Sequence, residues 1–298
     1  MISPPARVPV WPPAFVSRLL DRPFTNVERS WLYRSMSAPL VAFKWSSFVS
    51  DLYDRYGHNK PHTAILRKPL VEYAIGGISQ RARLAILLGH YELLAARFRP
   101  RLLSDLCAGQ RVHLASLSGK GDEFRIWMGA SDQVWMTSEG EVVFCLQDVK
   151  SGLVVSKLAI VLDQAEGEPI MVIGGLRSSF GMKQSVVRAT RQLYGLRPKD
   201  VLLLAARTFA SASGVSQIHA ISNERHVEQS GGKLYSDFNA YWLERGARWG
   251  GRYGFVLPAE IPSITGASRR DSLKRQIVED VREVARSYAP SGRQKTPK

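Results

Sequence analysis

Residues 194–222 constrain the fold most, because they predict a fully buried helix that leads directly into a buried strand. Pro198 suits the first position of a helix, where its missing N–H would have no partner. Residues 201–210 are apolar on nearly every side of that helix, which is typical of a helix inside a protein. Gly214 suits the residue that ends it, and residues 217–222 predict the strand.

The charge balance favours an anionic partner. The 298 residues include 41 Lys and Arg against 26 Asp and Glu, a formal net charge of +15. Such a field attracts nucleic acid, anionic lipid or an acidic cofactor, and it does not choose among them. The alternative is a basic surface without a dedicated partner. The sequence leaves the oligomeric state open.

The cysteine content and the lack of a long apolar run indicate the cellular compartment of the protein. Cys107 and Cys145 are too few for a disulfide framework and lack metal-ligand spacing. No apolar run is long enough for a signal peptide or a membrane span. We therefore expect a cytoplasmic protein, with a peripheral contact to the inner membrane through basic residues left open.

The periodicity divides the chain into four regions. Residues 1–23 carry six prolines and predict an extended arm. Residues 24–110 show helical spacing, and from residue 111 the period changes to two. Five strands close together in sequence predict an antiparallel meander, followed by helices, the strand at 217–222 and a last strand near 252–257. Residues 111–289 are thus expected to form an α+β core, a mixed, mostly antiparallel sheet with helices, and residues 290–298 a disordered basic tail.

An anion site is predicted where the meander ends and the buried helix begins. Gly174 and Gly175, next to Arg177, would let a ligand approach the backbone at a strand end. Arg197 and Lys199 stand at the helix start, whose free N–H groups favour a phosphate or diphosphate. The alternative is that both cations form surface ion pairs.

Catalytic residues are predicted in the segment after the strand. His226, with a near-neutral pKa, is the candidate general base, Tyr241 or Tyr235 the general acid, and Asp237 the group that orients the histidine. The alternative is that His226 is a polar loop residue. No zinc spacing, phosphate-binding loop or nucleophile-elbow motif is present, so no metal is predicted.

The chain resembles the VirK/YbjX family of Gram-negative bacteria, a domain of unknown function numbered 535. The resemblance covers roughly residues 60–290. It rests on the following residues: Lys68 to Tyr73, Arg83, His90-Tyr91, residues 173–176, 195–199 and 202–204, Ser222-Asn223, His226, residues 238–242, Glu244, Gly246, Leu257-Pro258 and Lys274-Arg275. Asn239 and Ala247 depart from the family, which often has Asp and Gly there. The resemblance implies roles in virulence and in resistance to cationic antimicrobial peptides through the cell envelope.

A second resemblance, based on the order of elements, is to the GNAT acyltransferase fold. That fold also has a meander, a pyrophosphate-binding turn before a helix, a strand and a further helix. Here the turn reads Leu-Arg-Pro-Lys instead of being glycine-rich, and an extra helix at 183–194 intervenes. No cofactor is fixed by a motif, and this resemblance implies an acyl-CoA donor. We expect acyl transfer to an envelope component; the alternative is a non-enzymatic basic protein that binds nucleic acid or anionic membrane.

Overall fold

A computed structural model describes residues 26–57, 63–179, 181–215, 217–229, 236–257, 261 and 263–290. The predicted arm at 1–23, Tyr235 and all of the predicted tail except Pro290 lie outside the described residues. The α+β class is confirmed, with helices first and a mostly antiparallel sheet after them. No helix within these ranges is long and apolar enough to cross a bilayer.

The N-terminal region is helical, as the spacing predicted. Its elements are α1 (Asn26–Ser37), α2 (Pro39–Tyr56), α3 (Thr63–Arg67), a 3-10 turn (Lys68–Leu70), α4 (Gln80–Arg97) and α5 (Pro100–Cys107). Ser79 caps α4 by accepting a hydrogen bond from the backbone N–H of Ala82, which satisfies one of the free donors of the first turn. Trp31, Trp45 and Leu87 are buried together on the inner side of these helices.

A sheet follows, which has eight strands in the described part of the chain. Its strands are β1 (Val112–Ser118), β2 (Glu123–Ala130), β3 (Val142–Asp148), β4 (Val154–Ala165), β5 (Glu168–Ser178), β6 (Gln217–Ile221), β7 (Arg248–Gly250) and β8 (Gly254–Leu257). They lie in the order β1-β2-β3-β4-β5-β6-β8-β7. Strand β7 was not predicted. It has three residues, too few for a period-two pattern to mark it, and among the described strands it pairs with β8 alone.

One pair of strands, β5 and β6, is parallel, and it organises the second half of the chain. Two helices connect the pair, α6 (Lys183–Gln192) and α7 (Pro198–Ala212). The register runs from Ile170 opposite Gln217 to Ile173 opposite Ala220, while β5 continues to Ser178. A shift in the pairing with β4 makes Gly174 an extra, bulged residue. The two parallel strands therefore separate just beyond Ile173.

Both faces of the sheet are covered. On one face lie α7 and α9 (Arg269–Tyr288), which share a core with the strands through Leu202, Phe209 and Ile277. The helices α1 to α4 cover Val161 and Val172 on the other face. The prediction of a buried helix that begins at Pro198 is confirmed, because ten residues of α7 are buried. A short helix, α8 (Phe238–Leu243), lies where a longer one was expected.

Candidate functional site

A buried glutamate occupies the space that the sequence analysis assigned to a ligand. Glu139 lies in the connection between β2 and β3, with only 1% of its side chain exposed. A Cβ added at Gly174 would overlap the backbone oxygen of Glu139, and one at Gly175 would overlap its carboxylate. The two glycines thus do admit a close neighbour, but that neighbour is the protein's own Glu139.

The Glu139 carboxylate faces two basic side chains. Its Oε1 lies 3.3 Å from Nη2 of Arg177 and 3.6 Å from Nε2 of His226. Neither carboxylate oxygen has a hydrogen-bond partner among the described residues. Burial raises the pKa of Glu139 to about 7, with Arg177 opposing the rise. At neutral pH this carboxyl group is therefore divided between its two protonation states.

His226 is held in a defined orientation next to that carboxylate. Its ring stacks on Phe238 at a centroid distance of 4.9 Å. Its Nδ1 accepts a hydrogen bond of 3.1 Å from the backbone N–H of Glu228. Because Nδ1 accepts, the proton of the neutral ring lies on Nε2, which faces Glu139. Burial lowers the pKa of His226 to about 4, so the ring is neutral near pH 7.

Arg177 connects the buried carboxylate with the surface. Its Nη1 donates to Glu228 at 2.8 Å, and its Nη2 donates to the backbone oxygen of Trp135 at 3.1 Å. The side chain is 30% exposed. We name Glu139, Arg177, His226 and Glu228 the Glu139 cluster. Of the predicted site residues, it contains Arg177 and His226 and lies against Gly174 and Gly175.

The two cations at the start of α7 lie in a second group. Arg197 donates to Glu244 at 3.3 Å on the exposed surface, as the ion-pair alternative described. Lys199 lies 5.7 Å from the ring centroid of Tyr241, and burial lowers the pKa of this lysine. Asp200 stands in the same first turn. The N-terminus of α7 therefore already has one carboxylate beside it.

Two other predicted catalytic residues, Asp237 and Tyr241, form hydrogen bonds with groups other than His226. Asp237 caps α8, accepting from the backbone N–H of Ala240 at 3.0 Å, and also accepts from the Asn223 side chain. Tyr241 donates to Asp200 at 3.0 Å, and burial raises the pKa of the phenol above its usual range. Neither side chain hydrogen-bonds to His226 in the part of the chain that the structure describes.

Asn239, one of the two departures from the VirK/YbjX pattern, has a structural role here. Its Oδ1 accepts from the backbone N–H of Asn223, and its Nδ2 donates to Glu224, both at 2.9 Å. An Asp at this position would place a second carboxylate against Glu224. The amide thus joins the segment after β6 to the first turn of α8.

Sequence reasoning missed Glu139 and also Glu141, two residues later. Glu141 is fully buried and accepts from Lys68 at 2.6 Å, Tyr73 at 2.7 Å and Tyr91 at 2.6 Å. Burial would raise the pKa of Glu141, but Lys68 and the hydrogen bonds outweigh it and lower the pKa. The available signal was Glu-Gly-Glu directly before β3, whose first five residues are apolar. Two carboxylates directly before a buried strand indicate buried, paired groups more than the solvated groups of an exposed turn.

Two kinds of chemistry have no candidate within the described ranges. No group of His, Cys, Asp and Glu side chains there could hold a metal ion. Cys107 and Cys145 are unbridged and buried, and burial raises the pKa of both thiols, that of Cys107 to about 12. Both thiols therefore stay protonated and unreactive at neutral pH.

Fold and site together describe an α+β protein with one parallel strand pair and a buried carboxylate–histidine pair where these strands separate. The family model described as "Protein of unknown function (DUF535)" matches residues 25–275, and the chain belongs to this family. It is 28% identical over 256 residues to "Uncharacterized protein YbjX" of Escherichia coli (strain K12), covering 79% of this chain and 73% of the relative. The resemblance to the VirK/YbjX family is thereby confirmed.

Proposed function

We propose that the protein transfers an acyl group from a thioester donor, such as an acyl-CoA, to a nucleophile on a cell-envelope component, with Glu139 as the general base. The observation that carries this proposal is the Glu139 carboxylate, which is buried, lacks a hydrogen-bond partner among the described residues and has a pKa raised to about 7. A base with a pKa near the working pH is the most effective proton acceptor.

The donor would bind where β5 and β6 separate. Ligands of sheets with parallel strands bind beyond the carboxyl ends of those strands. That end is bordered by the start of α7, because Tyr241 of α8 bonds to Asp200, while the neighbouring Trp242 donates to the backbone oxygen of Ile221 at the end of β6. Lys199 would face the phosphates of the donor there. This arrangement also supports the resemblance to the GNAT fold.

The reaction balances without a metal or redox partner. The acceptor N–H or O–H loses its proton to Glu139, and the nucleophile bonds to the thioester carbonyl carbon. The C–S bond then breaks, and the leaving thiolate takes up the proton from Glu139, which returns the base to its carboxylate form. An acylated acceptor and a free thiol result. The Nε2–H of His226 faces Oε1 of Glu139 at 3.6 Å and would orient the carboxylate by this longer electrostatic contact.

Release of free thiol from acyl-CoA donors of increasing chain length, with an amine acceptor present, tests the proposal. Glu139→Gln should lower the rate about 10²- to 10⁴-fold, the usual contribution of a general base, while calorimetry shows donor binding unchanged. Glu123→Gln, at an exposed position on β2, is the matched control. An Lys199→Ala variant should weaken donor binding. Absence of donor binding by the unaltered protein would refute the proposal.

The envelope role needs a cellular test. A strain that lacks the gene should be more sensitive to a cationic antimicrobial peptide, and the unaltered protein should restore resistance. Glu139→Gln should not restore it, although it accumulates to the same level as Glu123→Gln. Full restoration by Glu139→Gln would separate resistance from the proposed chemistry.

A second candidate function, peripheral binding to an anionic membrane, is favoured by an exposed apolar corner. Tyr33, Met36 and Leu40, at the junction of α1 and α2, are 79%, 77% and 60% exposed. Residues 29–50 contain three basic and no acidic side chains. Exposed apolar groups beside cations suit the surface of an anionic bilayer.

Flotation with vesicles of phosphatidylglycerol and phosphatidylcholine tests the second candidate. Met36→Glu with Leu40→Glu should abolish flotation, whereas Val187→Glu, an exposed position on α6, should not. If nucleic acid were the partner instead, binding would fall steeply with salt and would not depend on Met36 or Leu40.

A further inference from the structure

The loop at 72–77, between the 3-10 turn and α4, has a strained and buried backbone. Ala74 has a φ of 57° and is 0% exposed, although residues other than glycine rarely adopt this left-handed region. Around it, the backbone N–H of Ile75 donates to the oxygen of Tyr73 at 2.6 Å. Such a conformation persists only where the surroundings impose it, and it concentrates at functional sites.

The backbone of this loop is hydrogen-bonded to both chain segments that carry the buried pair of the Glu139 cluster. The N–H of Ala74 donates to the backbone oxygen of Ser138 at 2.8 Å, and Ser138 directly precedes the glutamate. The N–H of Gly76 donates to the backbone oxygen of Arg225 at 2.8 Å, and Arg225 directly precedes the histidine. One short loop therefore fixes the carboxylate segment and the imidazole segment relative to each other, although they are distant in the chain.

Gly76 fits closely against the imidazole segment. A Cβ added at Gly76 would lie 3.1 Å from the backbone oxygen of His226 and 3.5 Å from that of Arg225. The first distance is shorter than an ordinary van der Waals contact, so the neighbouring backbone would have to move by a few tenths of an ångström. Gly76 does not have a positive φ. A methyl group there would therefore press on His226 without straining the backbone of residue 76.

Side chains anchor the loop to α4 and to the sheet. Glu72 accepts from the backbone N–H of Gly77 at 3.1 Å and from Nη2 of Arg83, in α4, at 2.5 Å. The hydroxyl of Tyr73 donates to Glu141, at the entry to β3, at 2.7 Å. An element that is fixed on both sides can hold the groups of a site in place, as the residues that support a functional site must.

We propose that the loop at 72–77 is the positioning element of the Glu139 cluster, and that Ala74 and Gly76 set the separation of Glu139 from His226. This inference rests on the proposed function only for its effect on turnover, because the separation can be tested without a reaction. The interaction of an N–H with a carboxylate depends on their distance and alignment. A small displacement of His226 therefore changes how readily Glu139 takes up a proton.

The charge on Glu139 also depends on groups outside the loop. Besides His226, these are Arg177 on β5, Lys157 on β4 and Glu228 after β6. A substitution in the loop replaces none of them. A change in the titration of Glu139 then reports a change in the geometry of the cluster.

Titration of Glu139 in a Gly76→Ala variant tests the inference. In protein labelled with carbon-13 at the glutamate Cδ, the Glu139 resonance is assigned by its loss in Glu139→Gln. Gly76→Ala should shift the titration midpoint by about half a pH unit or more in either direction. The pH profile of kcat should move with it, while the KM for the thioester stays unchanged. Ile277→Val, in the core on the opposite face of the sheet, should lower the Tm and leave both the midpoint and the profile unchanged.

Hydrogen exchange provides a second readout that needs no variant. In the unaltered protein the amides of Ala74 and Gly76 should exchange only through global unfolding. Faster exchange would show that the loop opens locally and would overturn the inference. An unchanged midpoint in folded Gly76→Ala, or an equal shift in Ile277→Val, would assign the loop a purely structural role and overturn it as well. A shifted midpoint in Gly76→Ala without thioester turnover by the unaltered protein would refute the proposed function and support the positioning role.

Discussion

Glu139 and His226 shift the stability of the protein in opposite directions as pH changes. A carboxyl group whose pKa is raised by folding, here to about 7, keeps its proton in the native state after the unfolded chain has lost it. Stability from this group is therefore full at low pH and falls as pH rises from about 4.5 to 7. The pKa of His226, lowered to about 4, makes stability fall as pH decreases below about 6.5 instead.

The Glu139→Gln variant should separate these two contributions. The free energy of unfolding of Glu139→Gln minus that of the unaltered protein should rise between pH 4.5 and 7, by up to about 3 kcal/mol. His226 cancels from this difference because both proteins contain it. Urea titrations at several pH values measure it. A flat difference would mean that folding leaves the pKa of Glu139 unchanged.

The glycines beneath Glu139 make a second prediction at the residue scale. Gly174→Ala would place a methyl group against the backbone oxygen of Glu139, and backbone cannot yield as a flexible side chain can. We expect a loss of stability of about 1–3 kcal/mol or more, the usual result of overpacking.

Gly89 in α4 provides the control for that substitution. It has no neighbour within 4 Å of an added Cβ, so Gly89→Ala should stabilise the protein by about 0.5–1 kcal/mol. Thermal unfolding compares the two variants. If both substitutions changed the stability equally, the close approach of Glu139 would not require glycine at position 174.

At the scale of single elements, Asp237 distinguishes a helix cap from a catalytic group. Its carboxylate accepts from the backbone N–H of Ala240 at the start of α8. Asp237→Asn can still cap, so it should keep both the Tm and the activity. Asp237→Ala should lower the Tm and leave the pH dependence of turnover unchanged. A rate loss in Asp237→Asn would instead support the predicted role in orienting His226.

Elements defined by local pattern were predictable from the sequence. Pro198 and the apolar residues after it predicted helix α7, and the period of two predicted the meander. Helix α6 ends at Gln192, two residues before its predicted end, because Tyr194 and Gly195 both have positive φ and turn the chain. The positive φ of Tyr194 depends on its tertiary contacts, and local propensity cannot predict these.

The site was less predictable than the elements, because long-range burial creates it. Gly174 and Gly175 correctly indicated a close approach, but nothing local shows that the approaching group is Glu139, 35 residues earlier in the chain. Arg197 and Lys199 stand at a helix start as predicted, yet Arg197 has Glu244 as its partner. A sequence pattern predicts which residues are close along the chain, but it does not predict which carboxylates come close through folding.

In the molecule as a whole, the N-terminal helices and the sheet are joined by one buried polar network. Glu141 at the entry to β3 accepts from Lys68 and Tyr73, which precede α4, and from Tyr91 within α4. Lys68 and Glu141 are 5% and 2% exposed. Removing one partner of such a pair leaves an uncompensated buried charge, which is far more destabilising than replacing both.

This network predicts that residues 24–110 and 111–289 unfold together. Lys68→Ala should lower the free energy of unfolding by about 3–5 kcal/mol, whereas Lys44→Ala, at an exposed position on α2, should change it little. Calorimetry should give one transition in both variants, with calorimetric and van't Hoff enthalpies equal. If Lys68→Ala produced two transitions, of which only one shifted, the helices and the sheet would be separate folding units, and Glu141 would serve only its own strand.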